Sequence, residues 1–237
     1  MLTPPTKALL AKVGVSTLTN GLLKRGLRNQ FLHGVAPVDP TLPAMVGVAF
    51  TLRFIPARED IDTMAGFRSD DNVQRRALEA CPVDAVLVID ARHASLSASA
   101  SAGDLMIGRL KARGCAGIVT DGGYRDLAGI VRVGLPAYQY RTASPATPVG
   151  LHPVDFNLPI GCAGVAVYPG DIVVGDSEGV VILPAAMAEE LAEEAAETAA
   201  YDEFAEEKIL EGRSIIGLFP PSDEIRREYE VWRKARH

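Results

Sequence analysis

The sequence predicts an α/β domain followed by a helical extension, and three observations carry that prediction. Two short apolar runs, AVLVID (Ala85–Asp90) and GIVTDGG (Gly117–Gly123), flank the helix-patterned stretch SASAGDLMIGRLKARG. A strand, a helix and a second strand in that order imply a crossover and a parallel pair. After Gly134 come short strands punctuated by PGD and DSEG turns, and beyond Ala185 the chain becomes rich in alanine and glutamate.

Each element follows from local pattern. Residues from about Lys7 to Arg25 read as helix, with Ser16 to Asn20 offering a cap for a second short helix. MVGVAFTLRFI (Met45–Ile55) alternates as a strand does. FRSDDNVQRRALEACP reads as a helix entered through Ser69–Asn72 and stopped before Pro82. The continuous apolarity of AVLVID suits a strand buried on both faces. In the following helix Asp104 can cap and Gly114 suits the end. Tyr138 and Tyr140 alternate along a strand, and GVAVYPGDIVVGDSEGVVILP reads as a β-meander. Ala185 to about Gly212 is the strongest helical segment, with a charged tail after Pro221. We expect one domain over 1–237: a core over about 10–184, and a helix and tail over about 185–237 that serve assembly.

Composition narrows the function. A net charge of −6 disfavours nucleic acid as a partner, because phosphate binding needs a basic face. No apolar run is long enough to span a bilayer, and the N-terminus lacks a signal-peptide pattern, so the expectation is a cytoplasmic protein without membrane attachment. Cys81, Cys115 and Cys162 are widely spaced and read as reduced core thiols. Phosphate-loop and dinucleotide fingerprints are missing, as are a nucleophile elbow and paired histidines at metal-ligand spacing.

Two turns carry the chemistry. In the GDLM step, the amides of Leu105 and Met106 are free donors at a helix N-terminus, suited to a carboxylate or phosphate, and Gly103 lets a ligand approach the backbone. The plain alternative is that Asp104 only caps the helix. In the second turn Arg125 and Asp126 follow Gly122-Gly123 at the carboxyl end of a parallel strand, the usual edge for ligand sites. Arginine offers a planar fork to a carboxylate, and aspartate is a hard oxygen ligand for Mg²⁺ or Mn²⁺. Here the plain alternative is a local surface ion pair. Asp121 reads as a turn residue, and the glutamates between Glu189 and Glu211 as a solvated face.

The step G-D-L, followed some twenty residues later by R-D with VTDG just before it, resembles the family of 4-hydroxy-4-methyl-2-oxoglutarate aldolases and the regulator of ribonuclease activity A. Members of that family were long mislabelled as demethylmenaquinone methyltransferases. The likeness continues through LPAY and FNLPIGCAGVAVYPGDIVVGDSEGVVILP, over roughly residues 10 to 212. It implies a compact β/β/α sandwich similar to the swivelling phosphohistidine domain, assembled as homotrimers or homohexamers with sites at subunit interfaces. It implies that Gly103, Asp104, Leu105 and Met106 hold the carboxylate of a pyruvate-like ligand. Arg125 then binds substrate and steadies enolate charge, Asp126 ligates Mg²⁺ or Mn²⁺, and Asp104 hydrogen-bonds a water on that metal. A glutamate of the C-terminal helix, Glu206 or Glu207, reaches a neighbouring site in this scheme.

The expected activity is therefore a metal-dependent lyase that cleaves a 4-hydroxy-2-keto acid to pyruvate and a carbonyl product, with oxaloacetate decarboxylation as a side reaction. A hydratase or hydrolase of a keto-sugar acid using the same site is one alternative. A non-enzymatic ribonuclease regulator is the other, disfavoured by Asp104, which that branch lacks. Two stretches depart from the resemblance. TLRFIPAREDIDTMAGFRSDDNVQRRALEA is longer and more basic than expected, with Arg53, Arg58 or Arg68 as candidates near a different substrate, and the tail FPPSDEIRREYEVWRKARH is an addition.

Overall fold

The computed structural model describes residues 2–92 and 99–236. His93, one of the four histidines, lies outside them. Helix α1 (Pro4–Leu10) is capped by Thr3, and Gly14 separates it from α2 (Val15–Lys24). The cap of α2 comes from far along the chain rather than from Ser16–Asn20: the Asp176 carboxylate accepts the Val15 amide at 2.8 Å.

Strands β1 (Ala36–Pro37) and β2 (Met45–Pro56) follow. Next comes a short helix that the sequence pattern did not reveal, α3 (Met64–Arg68), started by the Thr63 hydroxyl on the Gly66 amide. Helix α4 (Val73–Ala80) enters through Asn72, whose side chain accepts from the Arg75 amide, and stops before Pro82 as expected. Strand β3 (Ala85–Asp90) is followed by β4 (Ala100–Ala102), α5 (Asp104–Ala112), β5 (Gly117–Tyr124), α6 (Leu127–Val133) and β6 (Ala137–Thr142). Then come β7 (Leu151–Phe156), β8 (Ile160–Cys162), β9 (Val165–Val167), β10 (Ile172–Gly175), β11 (Val180–Leu183), α7 (Ala188–Leu210) and α8 (Asp223–Arg236).

The expected parallel pair is present: β3 and β5 run parallel with α5 between them, and β2 and β6 extend the parallel block on either side. The full sheet has nine strands, ordered β1-β6-β5-β3-β2-β10-β11, with β4 alongside β5 and β7 alongside β2. It curls strongly, for Tyr138 on β6 packs onto Gly175 on β10, where an added Cβ would lie 2.8 Å from its ring. The result is a mixed α/β architecture with a nearly closed sheet.

Strand alternation divides the core. Ala85, Leu87 and Ile89 point to the layer of α4, α5 and α6, while Val86 and Val88 point to the opposite layer with β8 and β9. A third cluster packs α1, α2 and the first half of α7 onto β10 and β11.

The expected meander is only half right. β10 and β11 form a hairpin, but β9 pairs with β8 in a separate two-stranded sheet, and β10 pairs with β2. Ala163 (φ 48°) and Gly164 (φ 79°) are both left-handed, so the two residues between Cys162 and Val165 make a tight hairpin turn. Asp121 is not a turn residue. It lies inside β5, buried, and its carboxylate accepts the Ala91 amide at 2.7 Å and the Ala163 amide at 3.2 Å. It thereby fastens the end of β3 to the β8–β9 turn. The charged tail is also ordered: α8 packs back on α7. Among the described residues no helix is long and apolar enough to cross a membrane.

Candidate active site

Backbone pairing brings the two turns together. Strand β4 runs parallel to β5, with Ala100 opposite Gly123 and Ala102 opposite Tyr124, and the Arg125 amide donates to the Ala102 carbonyl at 3.1 Å. Gly103 therefore emerges against Arg125 and Asp126. A Cβ built on Gly103 would lie 2.9 Å from Asp126 Oδ2 and 3.2 Å from Arg125 Nε, so the side chains of the second turn lie over the backbone of the first. Gly103 is extended (φ −133°), which any residue tolerates; what it supplies is space.

Gly103, not Asp104, is the N-cap of α5. Asp104 is the first helical residue, makes no capping bond, and has no hydrogen-bond partner among the described residues. The simple capping role is thus not the one it fills. Its carboxylate is seated by Gly129 of α6, where a Cβ would lie 2.2 Å from Asp104 Oδ2. The first intrahelical bond runs from the Ile107 amide to the Gly103 carbonyl, leaving the amides of Asp104, Leu105 and Met106 without a helical partner.

Asp126 holds a left-handed backbone (φ 60°, ψ 40°) at the start of α6 without capping it. Such a conformation in a non-glycine residue costs on the order of 1–3 kcal/mol and tends to collect at functional sites. The expected local pair is also formed, Arg125 Nε lying 3.2 Å from Asp126 Oδ2. Pairing and lining the site are not exclusive, since both side chains remain about half exposed (44% and 48%).

All six expected site residues, Gly103, Asp104, Leu105, Met106, Arg125 and Asp126, line one cavity of about 640 Å³. The opposite wall comes from Phe67 and Asp70 and from Arg75, Arg76, Leu78 and Glu79 on or before α4, with Arg109 from α5. Arg109 grips Glu79 through two bonds of 2.9 and 2.8 Å, and that guanidinium holds the Glu79 carboxyl below its usual range. Arg53, Arg58 and Arg68 do not line this cavity. Arg53 is paired with Asp155 across β2 and β7, and Arg58 with Asp60. The α4 residues carried a signal that went unread: Arg75, Arg76 and Glu79 share one helix face by their spacing.

A metal at this site has a plausible donor set, although no group of three or more His, Cys, Asp or Glu gathers among the described residues. Asp126 and Asp104 offer one or two carboxylates, which suits Mg²⁺, an ion that keeps several waters. Of the two C-terminal glutamates, Glu207 is engaged by its own chain, accepting from Trp232 Nε1 at 3.1 Å and Arg236 at 2.6 Å, whereas Glu206 is exposed.

Residues 15–182 match the model of the family described as RraA-like: Aldolase/RraA. A protein of Halalkalibacterium halodurans, named "Putative 4-hydroxy-4-methyl-2-oxoglutarate aldolase", is 38% identical over 156 residues, covering 64% of this chain and 71% of that one. The crystal structure of Streptomyces coelicolor RraAS2, described as an unusual member of the RNase ES inhibitor RraA protein family, is 30% identical with a TM-score of 0.75, covering 86% of this chain and 96% of that one. An uncharacterized protein from Pseudomonas syringae shares the fold at 21% identity and a TM-score of 0.76, covering 91% and 97%. A family-model match running from α2 to β11 across both site turns makes this chain a member of the RraA-like family.

Proposed function

We propose that this protein is a divalent-metal-dependent lyase that cleaves a 4-hydroxy-2-keto acid to pyruvate and a second carbonyl compound. The observation that carries the reading is the convergence of the α5 N-terminus with Arg125 and Asp126 on one cavity that Asp104 also lines, its carboxylate against Gly129 of α6 and without a hydrogen-bond partner among the described residues. The similarity to a protein named as an aldolase supports it.

In this reading the amides of Leu105 and Met106 receive the substrate carboxylate, which the helix dipole also favours. Asp126, with Asp104 nearby, holds Mg²⁺ or Mn²⁺, which when bound supplies Lewis-acid charge beside the keto oxygen. Arg125 places its guanidinium where negative charge develops as the C3–C4 bond breaks and its electron pair passes into the pyruvate enolate. The proton leaving the 4-hydroxyl ends on C3 of pyruvate. Asp104, without a hydrogen-bond partner among the described residues, orients the water that carries it. No lysine lines the cavity, so a Schiff-base route has no nucleophile there.

The test is pyruvate release, coupled to lactate dehydrogenase, from 4-hydroxy-2-keto acids and from oxaloacetate. We expect activity that chelator abolishes and Mg²⁺ or Mn²⁺ restores. Arg125→Ala should lower kcat by about a hundredfold or more, the usual effect of deleting one charge-stabilising donor, and Asp126→Ala should do at least as much. Full activity in chelator or in Asp126→Ala would overturn the metal-dependent reading. No pyruvate from any substrate would overturn the lyase reading and leave a hydratase, a hydrolase or a ribonuclease-binding role.

A further inference from the structure

The cavity of about 640 Å³ falls in the range that holds drug-sized ligands and is far larger than a three-carbon keto acid requires. The surplus is bounded by α4, and α4 is tied to the site-forming turn. Gln74, 1% exposed, donates through Nε2 to the Ser101 carbonyl at 2.6 Å and reaches Met106 Sδ at 3.4 Å. That tether fixes the face carrying Arg75 and Arg76 relative to residues 103–106.

The charges on this wall are unequally occupied. Arg109 is spent on Glu79, and Arg125 lies against Asp126. Glu79 would be the natural partner of Arg76 at i,i+3, but Arg109 grips both its oxygens and Arg113 approaches at 3.4 Å. Of the Arg75 guanidinium, Nε donates to the Phe67 carbonyl at 3.2 Å, and the two terminal nitrogens have no partner among the described residues. The Arg76 side chain has no hydrogen bond or ion pair among the described residues, and there Asp70 on the same wall pairs with neither arginine. Two guanidiniums with unused donors thus face a cavity whose other end is built for a carboxylate.

We propose that Arg76, with Arg75 beside it, binds a second anionic group of the substrate, at the end away from the keto-acid carboxylate. The chemistry that fits is a carboxylate or a phosphate ester, each able to accept a forked pair of N–H donors. The proposal deepens the lyase reading and rests on it for the orientation of the substrate. It assigns specificity to α4, which forms the end of the 51–80 segment that departs from the family resemblance.

The experiment compares 4-hydroxy-2-oxoglutarate, a 4-hydroxy-2-keto acid with a terminal phosphate ester, and 4-hydroxy-2-oxopentanoate, whose far end is an uncharged methyl group, in the wild type, Arg76→Gln and Arg76→Lys; charged and uncharged refer to that far end. A charge-assisted contact of ordinary strength corresponds to a KM change of about 10- to 100-fold. We expect Arg76→Gln to raise KM by that factor for the better of the two charged substrates. KM for the uncharged one should stay within about twofold, and Arg76→Lys should recover part of the loss. Whichever charged substrate responds identifies the group. An equal effect on charged and uncharged substrates, or none on either, would overturn the subsite. If no substrate turns over, calorimetric binding of pyruvate and of 2-oxoglutarate separates the two ideas. Selective loss of 2-oxoglutarate binding in Arg76→Gln sustains the subsite while the lyase reading fails, and unchanged binding of both removes it.

Discussion

Gly129 shows how the site is decided at the scale of single residues. Glycine inside a helix normally costs about 0.5–1 kcal/mol relative to alanine, so Gly129→Ala would ordinarily stabilise α6. Here the added methyl would sit 2.2 Å from Asp104 Oδ2 and 2.7 Å from its Cβ, too close for the carboxylate to stay where it is. We expect Gly129→Ala to lower kcat at least tenfold through displacement of Asp104 while changing stability by less than about 1 kcal/mol. Activity assay and denaturant unfolding on the same preparation check both halves; wild-type kcat would show that Asp104 need not hold its place. Residue type and spacing singled out 103–106 and 125–126 but left capping and a surface ion pair open; the family resemblance weighted the ligand role, and the fold brings all six to one cavity. Gly129 was not legible, since its role exists only once α5 and α6 lie side by side. Arg75 and Arg76 stayed hidden for a related reason: a charged helix face reads as solvated until the cavity it walls is known.

At the scale of elements, legibility followed how local each cause is. The strand AVLVID and the helix over Val73–Ala80 ended where predicted because apolar continuity, Asn72 and Pro82 act on their own neighbours. The start of α2 was missed because its cap, Asp176, stands 161 residues away in sequence. The meander failed for a like reason: the Ala163-Gly164 turn sends β9 back to β8, and nothing between Val165 and Leu183 announces that β10 will find β2. Between α4 and the site turn the tether is again long-range, with Gln74 donating to the Ser101 carbonyl and reaching Met106 Sδ. Gln74→Ala leaves that buried carbonyl without its donor, so we expect a loss of about 1–3 kcal/mol, read from the denaturant midpoint. If the bond also aims α4, KM for a charged substrate should rise more than kcat falls. A variant as stable as the wild type would show that packing alone holds the helix.

Across the whole molecule, the long helix α7 belongs to two cores. Its first half, with Ala188, Leu191, Ala192 and Ala195, packs into the cluster beneath β10 and β11. Its second half joins a separate small cluster in which Phe204, Ala205, Leu218 and Ile225 are buried and Tyr201, Tyr229 and Trp232 pack alongside. Surface ion pairs such as Arg233–Glu197 and Arg213–Glu228 add little to this junction, because exposed pairs are worth about 0–1 kcal/mol. A region with few buried apolar groups, joined to the body through one helix, opens at lower free energy than the main sheet. Trp232, the one tryptophan in the chain, sits inside it against Phe204, Tyr229 and Arg236, so its emission reports this region alone. In a denaturant titration we expect the Trp232 transition to precede the main loss of far-ultraviolet ellipticity. Phe204→Ala, which removes the centre of the small cluster at a cost of about 3–5 kcal/mol locally, should shift the fluorescence midpoint down and leave the main ellipticity midpoint in place. Coincident transitions in the wild type, moving together in Phe204→Ala, would mean that α7 transmits the loss to the sheet and that the two cores fold as one cooperative unit.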